Sequence, residues 1–211
     1  MKNKFIIIFL ILVINIGYPV NVIAEEFTFE VTDLEILENG NLYKSNNRGK
    51  ILTDNQIEVI SNSFKYLKKT NKLEAVGDVK FFDIKNNIII NAEKIIYLKN
   101  EEKIYTLGKT SIKVLSKYNI LGYDLVLLKD KLILSSDKRA TITDNYSNIY
   151  KVNKFEYSIN QEILKGEEIE VTTNYKKTNS DKYFFETGFF DLKQNKFLAK
   201  DISVEMHKAL F

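Results

Sequence analysis

The sequence predicts an all-β fold built of stacked antiparallel hairpins, and a repeat of about 31 residues is the main reason. Phe64–Tyr66 recurs as the similar Ile95–Tyr97. The glycine that closes the unit recurs too, as Gly77 and then Gly108. One hairpin of this size cannot bury its own apolar face, so the copies have to stack and share a core. A stacked scaffold that binds or conducts a ligand is therefore the first expectation.

Alternation of apolar and polar residues at period two is the second reason. It runs through Phe27–Thr32 and again through Ile202–Val204, and it is typical of strands with one buried face. For Ile57–Lys69 the serines, the asparagine and the β-branched residues, together with the repeat, favour strand over helix. Polar turns separate the runs, at Glu38–Asn41, Lys69–Asn71, Lys85–Asn87, Asn100–Glu102, Lys129–Asp130, Asn160–Glu162 and Lys193–Asn195. Five copies and an atypical opening unit predict roughly a dozen strands.

The first 24 residues have the pattern of a cleaved secretory signal. Lys2 and Lys4 precede an apolar run, and we expect the cut after Ala24. The alternative is an uncleaved inner-membrane anchor, but the apolar run is shorter than the roughly 20 residues that span a bilayer. We predict one β domain from residue 25 to residue 211.

The charge balance gives the protein no electrostatic reason to bind nucleic acid. The chain carries 31 basic and 28 acidic residues, and loss of Lys2 and Lys4 with the leader lowers the formal charge from +3 to +1. A nearly neutral chain lacks the basic surface that phosphate backbones require. The sequence contains no cysteine, so no disulfide crosslinks it.

The residues that usually carry chemistry are scarce, which predicts that the protein is not an enzyme. His207 is the one histidine, and no glycine-rich phosphate loop is present. We expect no catalytic residue, no metal site and no cofactor. The acid pairs Glu101–Glu102 and Glu167–Glu168 could serve in glycoside cleavage, but solvated turn residues explain them more simply.

Three repeated tyrosines, Tyr66, Tyr97 and Tyr157, take the same position in their copies and so fall in register on the rungs of the stack. They favour a ladder of core residues over a stacking platform for sugars or bases. Gly77, Gly108 and Gly166 are expected to mark bulges or bends.

With no helices to cover them, the apolar faces of two sheets must face each other. A closed sandwich is one possibility, and sheets that part along one edge to form an apolar trough are the other. Residues selected from the inner face, which would line that trough, are Phe64, Tyr66, Val79, Phe81, Ile90, Ile95, Tyr97, Ile112, Val114, Leu127, Leu134, Phe155, Tyr157 and Phe190. Phe197 belongs to the same inner face.

The segment Asn91–Tyr97, its polar turn and Ile104–Gly108 resemble the repeat of the OstA-like family of lipopolysaccharide-transport proteins. Phe64–Val79 is similar to the same repeat. The resemblance covers the chain beyond the leader and is sharpest from Ile57 to Gly108. It implies a twisted V-shaped antiparallel jellyroll, open along one edge, whose groove takes up lipid acyl chains.

The resemblance also implies a place and partners. The protein is expected in the periplasm of a Gram-negative cell or at the periplasmic face of its outer membrane. The expected ligand is lipopolysaccharide, and the expected partners are similar jellyrolls joined by pairing of edge strands. Some members continue into an outer-membrane barrel that works with an LptE-like lipoprotein, and residues up to Phe211 show no such barrel. A stand-alone bridge protein and a β-helix polysaccharide enzyme are the alternatives.

Overall fold

The computed structural model describes residues 27–53, 56–177 and 180–206. The predicted leader and His207 lie outside these residues. The all-β prediction is confirmed, since eighteen strands make up the described fold and all of their pairings are antiparallel.

Twelve of the strands are short, and they form two sets of six along the chain, each followed by three longer strands. They are β1 (Thr28–Glu30), β2 (Glu35–Leu37), β3 (Leu42–Ser45), β4 (Gly49–Leu52), β5 (Ile57–Ser61), β6 (Ser63–Leu67), β10 (Tyr118–Tyr123), β11 (Val126–Leu128), β12 (Ile133–Ser136), β13 (Ala140–Thr143), β14 (Ile149–Val152) and β15 (Lys154–Ser158). Six longer strands, of 10 to 12 residues, complete the fold. They are β7 (Lys72–Asp83), β8 (Ile88–Leu98), β9 (Lys103–Val114), β16 (Ile163–Thr172), β17 (Lys182–Asp191) and β18 (Lys196–Glu205).

The pairings define two layers. The upper layer contains β1, β4, β5, β10, β13 and β14, and the lower layer contains β2, β3, β6, β11, β12 and β15. Each long strand belongs to both, because one half pairs in the lower layer and the other half in the upper layer. The pairings also close a ring of eight strands, in the order β9, β10, β13, β14, β16, β15, β12 and β11.

The long strands bend where they pass from one layer to the other, and these bends form one edge of the fold, the bend edge. Gly77 and Gly108 mark two of them, with φ of 81° and 80°. The pairing register shifts at both places, so the predicted bulges are confirmed there. A glycine takes up this left-handed conformation without the strain that a side chain adds.

Gly166 is different, and the prediction of a bulge there is wrong. It pairs in regular register with Phe155 and with Gly188. The bend of β16 comes two residues later, at Glu168, whose φ is 48°. The repeated glycine therefore marks the bend only in the first two copies.

The turns lie at the opposite edge of each layer, the turn edge. All seven predicted polar turns are present. In the lower layer they stack one on the next through backbone hydrogen bonds, in which Lys99 N–H donates to Asn71 at 3.1 Å and Lys129 N–H donates to Glu102 at 2.8 Å. These hydrogen bonds repeat at the spacing that the sequence shows, so the repeat is a physical stack of turns.

The prediction of roughly a dozen strands is too low. The segment Ile57–Lys69, predicted as strand, contains β5 and β6, which are separated by Asn62 and belong to different layers. A change of layer ends one ladder of hydrogen bonds and begins another, although the apolar alternation continues across it. A strand count based on apolar alternation therefore gives one strand for a bent segment that forms two strands in the structure.

Candidate functional site

The space between the two layers is one continuous apolar interior. The fourteen residues predicted to line a groove all lie in it, and each is exposed by 5% or less. Five come from the upper layer, namely Val79, Phe81, Ile90, Ile112 and Val114, and the remaining nine come from the lower layer. The structure thus brings the predicted residues together, while their contact with a lipid stays a prediction.

Sequence reasoning missed much of the upper wall of this interior. Tyr118, Ile120, Ile142 and Tyr150 are buried there. Their signal was present, because β10 and β14 also alternate at period two. These strands do not match the repeat unit, and the predicted set of inner residues was based mainly on that unit.

Aromatic rings hold the two layers against each other. Phe81 of the upper layer packs edge to face against Tyr97 of the lower layer, with ring centroids 6.0 Å apart. Tyr118 and Tyr157 make the same kind of contact at 5.7 Å. Edge-to-face pairs of buried rings contribute beyond their burial, so these contacts stabilise the closed spacing of the layers. The burial of the repeated tyrosines confirms the core ladder and excludes an exposed stacking platform.

Two of the three repeated tyrosines pair their hydroxyl with the residue five positions later, in the turn of the same layer. The Tyr66 hydroxyl donates to Asn71 Oδ1 at 2.6 Å. The Tyr97 hydroxyl donates to Glu102 at 3.3 Å. In each copy the tyrosine therefore anchors its own turn.

The third of the repeated tyrosines, Tyr157, differs. Glu162, five residues after Tyr157, accepts a hydrogen bond from the Tyr118 hydroxyl at 2.8 Å and one from Lys117 Nζ at 3.0 Å. Both donors belong to the upper layer, so Glu162 connects the two rows of turns. The Tyr157 hydroxyl is buried and has no hydrogen-bond partner among the described residues.

The charge state of this cluster follows from its contacts. Burial acts to raise the pKa of Glu162, but the hydrogen bonds from Lys117 and Tyr118 outweigh burial and hold the pKa below its ordinary value. Burial raises the pKa of Tyr118, as does its bond to Glu162. Burial likewise raises the pKa of Tyr157. Glu162 is therefore a carboxylate facing two neutral phenols and one ammonium group at neutral pH.

On one side of this bridge the turn edge opens into a polar cleft of about 630 Å³. Asp83, Lys85 and Asn86 of the upper layer face Glu102 and Lys129 of the lower layer across it. Lys129 Nζ lies 2.6 Å from a carboxylate oxygen of Glu102, so this part of the edge carries a charged pair.

At the C-terminal end of the described fold the interior is open. A pocket of about 260 Å³ lies between the layers there, with Tyr150, Phe185, Phe190 and Phe197 in its wall. Phe197 lies on the inner face, as predicted, and its ring contacts the ring of Phe190, but 52% of the residue is exposed. In the described chain β18 pairs with β17, and no register with a further strand extends the layers beyond β18, so this end of the interior is exposed.

The other predicted features carry no visible chemistry. Glu101 and Glu102 lie in a turn, and Glu167 and Glu168 lie at the bend of β16. Within the described residues no three His, Cys, Asp or Glu side chains are placed to hold a metal ion. The antiparallel pairings contradict a parallel β-helix, so the β-helix enzyme alternative is wrong in its fold.

Comparison with protein-family models gave no match, and comparison with curated proteins also gave none. In residues 27–53, 56–177 and 180–206, no helix has the length and the apolar character needed to cross a membrane.

Proposed function

We propose that the chain is a lipid-binding module that receives alkyl chains in the interior between its two layers. The supporting observation is that one apolar interior runs the length of the described fold and is open at β18, where Phe197 and Ile202 are half exposed. Alkyl chains held there would be shielded from water, which favours binding by roughly 25 cal/mol per Å² of apolar area.

The fold supports the OstA-like assignment under this proposal. Layers that are continuous at the bend edge and carry their turns at the other edge are compatible with the proposed V-shaped jellyroll, in which the turn edge would be the open side. The ligand proposed on that basis is lipopolysaccharide, with its acyl chains in the interior. The protein acts without catalysis, in the periplasm or at the periplasmic face of the outer membrane of a Gram-negative cell.

Within the OstA-like class, we propose the N-terminal domain of the lipopolysaccharide-assembly protein LptD as the particular relative. A stand-alone bridge protein similar to LptA is the alternative. Both place similar jellyrolls against the ends of the stack through edge strands, of which β18 is the longest. In the LptD case the further partners are an outer-membrane barrel and an LptE-like lipoprotein.

Site-specific photo-crosslinking tests the proposal. A photoreactive residue at Ile95 or Leu127, both in the interior, is expected to form an adduct with lipopolysaccharide in cells. The matched control is Lys113, which points outward between Ile112 and Val114 on the same strand. Absence of an adduct from both interior positions in folded protein would contradict the proposal, as would equal labelling from Lys113.

A closed β-sandwich with a structural role is the second candidate. The bridge from Glu162 to Tyr118 and the burial of all fourteen residues predicted to line a groove favour it. In that case Tyr97→Asp and Phe155→Asp only unfold the protein, and no lipid is recovered with the wild-type chain. Recovery of bound lipid with purified wild-type protein excludes this candidate.

A further inference from the structure

The polar contacts of the turn edge follow a pattern that one copy breaks. Tyr66 and Tyr97 each pair their hydroxyl with the residue five positions on, in their own layer. Tyr157 and Glu162 occupy the equivalent positions, at the same separation and in the same kind of turn. The repeat therefore provides Tyr157 with Glu162 as its partner.

Glu162 is engaged elsewhere. Its two carboxylate oxygens take the Lys117 ammonium and the Tyr118 hydroxyl of the opposite layer. As a result the Tyr157 hydroxyl, in a residue only 1% exposed, has no partner among the described residues. An unpaired buried hydroxyl is unfavourable, so the observed arrangement gains a bridge between the layers and loses the bond that the repeat supplies.

We propose that Glu162 is a latch with two positions and that alkyl chains enter the interior sideways where it releases. In the closed position, which the structure shows, Glu162 bonds to Lys117 and Tyr118 and joins the layers. In the open position it bonds to Tyr157 in its own layer, as Asn71 bonds to Tyr66 and Glu102 to Tyr97, and the layers are free to part. This inference rests on the proposed function, because it describes how the ligand reaches the interior.

Three features make the two positions comparable in free energy. The Tyr118 and Tyr157 rings are in contact at 5.7 Å, Tyr118 bonds to Glu162, and the charge of Glu162 also acts on Tyr157, so the carboxylate lies near both phenols. Half of the Lys117 side chain is exposed, and an ion pair in contact with water contributes little. Opening also satisfies the buried Tyr157 hydroxyl, which partly offsets the loss of the Tyr118 bond.

The latch is placed where an alkyl chain needs access. On one side lies the polar cleft at Asp83 and Lys129, and on the other lies the aromatic pocket at Phe185 and Phe190. Among the described turns Glu162 bonds to the opposite layer between these two openings. Its release would join the cleft and the pocket into one continuous slot along the turn edge. Glu162 would thus control how far apart the two layers stand at this slot.

Substitutions that remove one hydroxyl separate the two positions. Tyr118→Phe removes a bond of the closed position, and Tyr157→Phe removes the partner of the open position. We expect stopped-flow uptake of 11-(dansylamino)undecanoic acid to be faster in Y118F, on the order of tenfold, as loss of one hydrogen bond to a charged group implies. Uptake in Y157F is expected to be slower than in wild type, and its thermal midpoint higher.

Lys117→Gln and Lys151→Gln form a matched pair. Lys117 bonds across the two layers, whereas Lys151 bonds to Glu170 within the upper layer at 2.9 Å. We expect K117Q to speed uptake, by less than Y118F because its ion pair is half exposed, and K151Q to leave the rate at the wild-type value. Opposite effects of Y118F and Y157F support the latch, and effects in the same direction, or equal effects of K117Q and K151Q, overturn it.

Amide hydrogen exchange in the absence of any ligand separates failure of the latch from failure of the proposed function. Backbone amides of residues 115–118 and 159–162 are expected to exchange faster in Y118F and more slowly in Y157F. If exchange responds in this way but the dansyl probe does not enter even wild-type protein, the latch holds and lipid binding is wrong. If exchange does not respond, the latch is wrong.

Discussion

Phe190 and Phe197 stack across the last pair of strands with ring centroids 5.8 Å apart, yet only Phe190 is covered. Phe190 is 5% exposed and Phe197 is 52% exposed, although both face the interior. The difference arises because β17 has a strand on each side, whereas the described chain adds no strand beyond β18. The inner face is therefore part of the buried core on β17 and accessible surface on the neighbouring strand β18.

This contrast gives a prediction for two phenylalanines. Phe81→Ala empties a site that is fully buried between the layers, and we expect it to lower the free energy of unfolding by about 3 to 5 kcal/mol. Phe197→Ala is expected to cost no more than about 1.5 kcal/mol, since half of its surface is already in water. Urea unfolding of both variants measures these losses.

The effects of these two substitutions on fatty-acid binding should not follow their effects on stability. Phe197 lines the open pocket, so F197A is expected to weaken binding of a dansyl-labelled fatty acid although it remains folded. Equal stability losses in the two variants would mean that the C-terminal end is covered in solution. Unchanged probe binding in F197A would remove this pocket from the proposed lipid site.

The turns and the inner face could be predicted from the sequence because both are local signals. Polar residues such as those at Asn160–Glu162 interrupt the apolar alternation, and the structure has a turn at each predicted place. The turn at Leu115 and Ser116 was not predicted. Both residues have positive φ, of 52° and 55°, without being residues that favour it, so tertiary pairing of β9 with β10 determines this turn.

The bridge across the turn edge could not be predicted in the same way. Tyr118 and Glu162 are 44 residues apart, and they meet because the fold places the turn before β10 opposite the turn before β16. The repeat relates Glu162 to Glu102 and gives no information about the opposite layer. Contacts between the layers depend on which turn of the upper layer lies opposite which turn of the lower layer. The period of the apolar residues and the length of the repeat do not contain this information.

The two bend glycines should differ in their tolerance of a side chain. Gly108 has open space where a Cβ would lie, so G108A is expected to cost about 1 to 2 kcal/mol from its left-handed backbone alone. At Gly77 a Cβ would lie 2.8 Å from Asn62 Nδ2. That contact displaces a side chain whose Oδ1 accepts a bond from Arg48, so G77A should cost more.

Urea unfolding tests this order, and Gly108→Asn is the matched control. Asparagine adopts left-handed backbone more readily than alanine, so G108N should be more stable than G108A. Asp124 and Asp201 already have positive φ at other bends, which shows that a short polar side chain fits there. A larger loss in G108A than in G77A would contradict this account of the bend edge.

The bridge at Glu162 should make stability depend on acid. The folded-state pKa of Glu162 lies below the ordinary value of 4.5, because the bonds from Lys117 and Tyr118 outweigh the effect of burial. The stabilisation is therefore complete above about pH 4.5 and is lost as the pH falls below that value and through the lowered pKa. Thermal midpoints measured from neutral pH downward are expected to show this loss.

Glu162→Gln isolates the contribution, since other carboxylates also titrate in this range. The pKa of Glu74 is lowered as well, by its bonds to Lys72 and Lys94, and it adds to the acid sensitivity of the wild type. We expect E162Q to be less stable than wild type at neutral pH and the difference to shrink as the pH falls. A difference that stays constant with pH would show that the carboxylate charge does not stabilise the closed layers.

The inner face of β18 should decide whether a second jellyroll can stack on this end. Ile202 and Val204 point inward and are about half exposed, so a stacked partner would bury them. Lysines in their place bring unpaired charge into that contact and oppose it. We expect the Ile202→Lys and Val204→Lys double variant to weaken end-to-end self-association in sedimentation velocity by at least roughly tenfold, which corresponds to 1.4 kcal/mol.

Leu198→Lys is the control, because Leu198 lies on the outer face of the same strand and a stacked partner leaves it in water. If the control and the double variant lose association equally, the contact is made by the outer face and the interior does not continue from one copy to the next.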